Sequence, residues 1–248
     1  MVKKVSLLLP VLALCLWAAD FWTAKPFAEW SDKEVNKILS DSPWAQRVTV
    51  SSGFSGGPGV AEGGGGGRGG GRGGGGGRGG PQGDAANSDP GIDGGGFGGG
   101  GFGGGGGVTV TLLWQTALPV KQALAKRRFG AEAGTSPDAK AAIERVDQVY
   151  VLTLIGMPGN LLGATQGDKK AALLDSTMVT VNGKPPLKAA DVQVSGGRGT
   201  AAISFLFPRN ATFTAEDKEM EFSSKFDKTT IKKKFKLKDM VVNGKVEM

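Results

Sequence analysis

The chain has 248 residues, 30 Lys plus Arg against 23 Asp plus Glu, a formal net charge of +7, no His, one Cys and 44 Gly. Without histidine no Ser-His-Asp triad, Cys-His dyad or His-ligated zinc site can be built, and a lone Cys15 forms no disulfide within the chain. Carboxylate or lysine chemistry and oxygen-ligated calcium stay open, but neither a D-x-[DN]-x-[DN]-G loop nor a convincing acid pair is present, so a non-enzyme without cofactor or metal is expected.

Lys3 and Lys4 followed by the apolar run Val5 to Trp17 have the order and length of an export signal. The run is shorter than the about 20 residues a bilayer span needs. Residues 1–19 are therefore read as a signal peptide cleaved after Ala18 or Ala19; lipidation at Cys15 and retention as an anchor are the alternatives. The mature chain is then expected outside the cytoplasm, in the periplasm, at the cell surface or secreted, with no transmembrane span.

Residues 20–52 form a small N-terminal element. Ser31-Asp32-Lys33-Glu34 is a capping box, in which the serine hydroxyl and the Glu34 carboxylate satisfy orphan amides reciprocally. Trp30 and Val35 are spaced as a hydrophobic staple, Val35, Ile38 and Leu39 make one apolar face, and Ser42-Pro43 stops the helix. Trp30 and Trp44 flank it, either packed on the main domain or exposed as anchors for an envelope partner. Val48 to Ser52 is read as a short strand.

Residues 53–107 contain 33 glycines. Such composition cannot offset its ordering entropy and predicts a disordered linker with an rms reach of about 40 Å. Arg68, Arg72 and Arg78 between glycines, with Phe97 and Phe102, resemble RNA-binding RGG boxes, but three arginines in an exported chain make a spacer the better reading and nucleic acid an unexpected partner.

Residues 108–248 are read as an α+β domain with a mostly antiparallel sheet and two or three helices. Val108 to Trp114 is a β-branched strand. A helix follows with Pro119 in its first turn and Lys126, Arg127 and Arg128 in its last. Ser136 caps a second helix whose periodicity runs through Ala139, Ala142, Ile143, Val146 and Val149. It feeds a strand at Tyr150 to Ile155. Thr177 to Val181 ends in the hairpin signal Asn182-Gly183, although Pro185 and Pro186 forbid a regular return strand. Ala201 to Phe207 is a buried strand closed by Pro208, Asn210-Ala211-Thr212 is a glycosylation sequon in form only, and Val241 to Val246 around Asn243-Gly244 is a final hairpin.

The run Lys232 to Lys238 invites a claim of anion or membrane-surface binding. As a strand it puts Ile231, Phe235 and Leu237 on one face and Lys232, Lys234, Lys236 and Lys238 on the other. A turn at Asp227-Lys228 then sets Glu221 opposite Lys234 and Glu219 opposite Lys236, which favours a solvated, edge-protecting face over a binding surface.

The segments Lys25-Pro26-Phe27, Glu29 to Val35, Ser42-Pro43-Trp44-Ala45 and Phe235 to Met240 resemble a group of uncharacterised exported proteins of soil bacteria. The resemblance covers both ends of the chain, skips the linker, implies export and carries over no catalytic residue. The expected role is that of an exported cell-envelope protein acting as a non-enzymatic structural or binding module. Binding of an anionic ligand or membrane surface through the Lys-rich strand is the first alternative, and a carboxylate-dependent hydrolase the second.

Overall fold

The capping box forms as its spacing predicts. In a computed structural model describing residues 20–50, 107–196 and 200–248, a one-turn helix α1 (Phe21–Ala24) precedes α2 (Asp32–Ser40). Ser31 Oγ accepts from the Glu34 N–H, and Glu34 Oε2 accepts from the Ser31 N–H at 2.8 Å. The export signal at 1–19 and residues 51–106 lie outside the described residues, so the readings of both fall there.

Glu34 also accepts a hydrogen bond from Lys25 Nζ at 2.8 Å. That bond first, then those from Ser31, hold its carboxyl down to about 2. A folded-state pKa below the unfolded one adds stability that is complete above about pH 4.5 and lost as pH falls towards 2. Glu34→Gln is expected to flatten the acid limb of the thermal stability profile in that window, and an NMR titration should place the Glu34 midpoint near 2. A midpoint above 4 would show that the Lys25 and Ser31 bonds do not hold in solution.

The remaining helices are α3 (Leu118–Phe129), α4 (Pro137–Glu144) and α5 (Asp168–Asp175). The strands are β1 (Ala45–Val50), β2 (Val108–Trp114), β3 (Val149–Pro158), β4 (Met178–Val181), β5 (Leu187–Lys188), β6 (Asp191–Gly196), β7 (Thr200–Pro208), β8 (Glu219–Phe226), β9 (Thr229–Lys236), β10 (Val241–Val242) and β11 (Lys245–Val246). The fold class is α+β. Every strand pairing is antiparallel: β1-β2-β3-β7-β6 form one sheet, β5-β4-β8-β9 a second, and β10 and β11 a small hairpin.

Aromatic rings join the two main sheets. Trp114 of the first, which packs on Phe207 of its own sheet, meets Phe235 of the second, and Phe205 meets Phe222 and Phe226, with centroid separations of 5.8 to 6.3 Å. All six are buried, and their edge-on and tilted contacts suit ring quadrupoles. The chain changes sheets between β5 and β6: Ala189 N–H bonds Thr177 O beside β4, and Ala190 N–H bonds Leu206 O on β7. At the other edge β1 lies against β9.

Several boundaries differ from the sequence reading. The first strand begins at Ala45 rather than Val48, because Ala45 to Val50 pair residue by residue with β2. α4 ends at Glu144, short of the Val149 that its periodicity suggests, and Val146 is 79% exposed. The helix stops where α3 captures its end: Lys121 Nζ donates to Asp147 Oδ2 at 3.1 Å and also to Arg145 O. β5 returns along β4 despite Pro185 and Pro186, since the prolines occupy the loop and only Leu187 and Lys188 pair. α5 and β6 have no counterpart in the sequence reading, and the Lys-rich strand ends at Lys236, with Lys238 carried into a 3-10 turn, Leu237–Met240.

Candidate functional site

The β8–β9 hairpin adopts the anticipated register, with Glu219 opposite Lys236 and Glu221 opposite Lys234. The ion pairs themselves are displaced by one step. Lys234 Nζ reaches Glu219 at 3.2 Å and Lys232 Nζ reaches Glu221 at 3.7 Å, because diagonal neighbours on a twisted ribbon lie within reach of long side chains. The displacement neutralises Lys232 and Lys234 and leaves Lys236 with no ion pair among the described residues. Both pairs are largely exposed, so the double substitution Lys232→Gln, Lys234→Gln is expected to cost less than about 1 kcal/mol in denaturant unfolding.

Lys238 also lacks a carboxylate partner among the described residues, and the fold brings a third lysine to the same place. Leu237 N–H donates to Lys218 O at 2.8 Å, tying the start of β8 to the end of β9. Lys218 follows a 3-10 turn (Ala215–Asp217) and has φ 59° and ψ −69°, a conformation rare for a residue with a side chain. Lys218, Lys236 and Lys238 thus line one open groove of about 610 Å³ together with Asn182 and Glu216.

The groove wall is braced from outside. Lys184, just past the Asn182-Gly183 turn, donates to Asp217 Oδ2 at 2.6 Å and Thr212 O at 2.8 Å, while Asp217 accepts from the Thr214 N–H at 2.7 Å. Burial acts to raise the Asp217 pKa, but the bonds from Lys184 and Thr214 outweigh it and hold the carboxyl below its usual value. A general acid needs the opposite shift. Asp217 is occupied as a brace and Glu219 is paired with Lys234, so two of the three carboxylates beside the groove are already bound by lysines outside it.

Trp30 and Trp44 take the packing alternative. They are 2% and 0% exposed, so neither is presented as a surface anchor. Trp44 Nε1 donates to Glu247 O at 2.9 Å, linking the N-terminal element to the far end of the chain. Trp30 Nε1 is buried without a hydrogen-bond partner among the described residues, and Trp30 is held by edge-on packing of Phe21 and Phe27 on its ring. Lys232, Lys234, Lys236 and Lys238 are all exposed, yet only the last two belong to the groove. Lys218 escaped the sequence reading, since it stands alone between Asp217 and Glu219 and joins the others only through hairpin pairing.

Among the described residues no three His, Cys, Asp or Glu side chains converge as a metal site, and no helix is long and apolar enough to cross a membrane. Comparison with protein-family models, curated proteins and solved structures finds no match to this chain.

Proposed function

We propose that this protein is an exported, non-enzymatic binding module of the cell envelope that holds an anionic ligand in the groove lined by Lys218, Lys236 and Lys238. The observation that carries the reading is the convergence of three lysines, none in an ion pair among the described residues, on one concave surface. Their neighbours Lys232 and Lys234 are neutralised, so charge is concentrated where the surface is hollow, which favours an anion over bulk counter-ions. Export is supported by the basic and apolar order of residues 3–17.

The test is retention on immobilised heparin as a function of salt. Wild type should elute progressively earlier as salt rises, and Lys218→Gln, Lys236→Gln, Lys238→Gln should reduce the log–log salt slope by about two to three, as removal of that many anion contacts does. A second triple variant, Lys225→Gln, Lys228→Gln, Lys232→Gln, removes the same charge outside the groove while leaving the Lys234–Glu219 pair in place, and should elute close to wild type. Equal losses in both variants would reduce the effect to net charge and overturn the groove assignment.

A further inference from the structure

A second basic hollow lies on different elements. The outward stripe of α2 carries Lys33, Asn36, Lys37 and Ser40 at helical spacing, and β1 presents exposed Arg47 towards it, so that these side chains and Phe21 line an open groove of about 500 Å³. Lys33 and Arg47 have no ion pair among the described residues, and Lys37 Nζ stands 6.0 Å from the centre of the Phe21 ring. The acids on this rim are Glu34, already bound by Lys25 and the helix cap, and Asp41.

Half-buried Phe21 lines this hollow, and half-buried Trp22 packs against it. Phe21 and Trp22 are 5.0 Å apart edge to face, Phe21 stands on buried Trp30 at 5.6 Å, and Trp22 stands on buried Trp44 at 5.4 Å. The core holds one side of each ring in place while part of its surface stays open. Cations beside rings fixed in this way match the interface of a bilayer, where aromatic rings settle at headgroup depth and Lys or Arg meets anionic headgroups. Delivery to a membrane rests on the proposed export: the apolar run Val5 to Trp17 stops shortly before Asp20, the N-cap of α1, so an export step at that run brings this face to a membrane. We infer that the surface formed by Phe21, Trp22, Lys33, Lys37 and Arg47 docks the protein on an anionic bilayer. This surface is separate from the lysine groove and stands independently of it.

The test is co-sedimentation of the chain beginning at Asp20, which keeps every described residue, with phosphatidylcholine vesicles lacking or containing phosphatidylglycerol. Binding is expected only to the anionic vesicles, with a blue shift of tryptophan emission that is diminished in Trp22→Ala. At about fivefold per cation, Lys33→Gln, Lys37→Gln, Arg47→Gln should lower the partition coefficient by about a hundredfold. These three side chains are exposed, and an unchanged melting temperature verifies that the variant is folded. Excess glycerol phosphate, which carries a phosphate anion on glycerol without a bilayer, should not displace the protein. Failure of the wild type to sediment, full displacement by glycerol phosphate, or loss of binding in the Lys218, Lys236, Lys238 variant instead would each overturn the inference; the heparin experiment reads the other groove separately.

Discussion

Replacing Trp44 by alanine is expected to cost about 3–5 kcal/mol of folding stability, the range for deleting a large buried aromatic. Three attachments meet at this residue: its ring is fully buried against Trp22, its indole N–H bonds Glu247 O, and its backbone carbonyl accepts the Trp114 N–H at 3.0 Å. Alanine keeps only the last. At about 2–4 °C per kcal/mol for a domain of this size, the melting temperature should fall by roughly 6–20 °C. Trp44→Phe keeps most of the ring and should lose only a fraction of that. The measurement is denaturant unfolding followed by far-ultraviolet circular dichroism. A Trp44→Ala unfolding free energy within about 0.5 kcal/mol of wild type would mean that residues 20–50 are not part of the cooperative unit, and would return Trp44 to the exposed-anchor reading.

What the sequence discloses follows the range of the interactions. The Ser31 and Glu34 cap, the Asp227-Lys228 turn with its register, and the Asn243-Gly244 hairpin rest on residues within a few positions of one another, and all form as anticipated. Elements whose identity depends on distant partners were not legible. β6 reads Asp-Val-Gln-Val-Ser-Gly, which has little strand character by composition, and it forms because β7 pairs with it. α5 buries only Leu173, so its apolar periodicity is too thin to detect. The extra helical residues anticipated for α4 lose to a tertiary contact, the capture of Arg145 and Asp147 by Lys121.

The candidate site divides in the same way. Alternation places lysines on one face of β9, and counting from the turn places the glutamates opposite. Neither reveals that the ion pairs run diagonally, so neither shows which lysine is left over. A one-step displacement decides whether charge is cancelled evenly or gathered at Lys236, beside Lys218 and Lys238. It depends on twist and side-chain length rather than on residue order. The second basic hollow was hidden for a related reason: Lys33 and Lys37 belong to a helix face visible in the sequence, but Arg47 joins them only through the way β1 folds back against α2.

That connection carries the last expected result. Val50 is the direct partner of Val108, so β1 and β2 form an antiparallel hairpin whose two arms are joined by roughly 57 residues, 51–107. Such pairs are ordinarily closed by two to five residues. Loop-closure cost grows by about 0.6 kcal/mol per doubling of length, so shortening the connection to an Asn-Gly turn of four residues should stabilise the fold by about 2 kcal/mol. The melting temperature should rise by about 4–8 °C. The new turn must end before Gly107, because a Cβ there would meet Val50 O at 2.6 Å; retaining that glycine and replacing 51–106 avoids the clash. The comparison is thermal unfolding of wild type and the shortened chain at equal protein concentration, with size-exclusion chromatography to confirm an unchanged oligomeric state. Since both grooves are built from residues outside the excised stretch, anion retention should survive intact. A lower melting temperature would show that residues 51–106 contribute contacts exceeding their closure cost, and the glycine-rich stretch would then be part of the folded unit instead of a spacer between its strands.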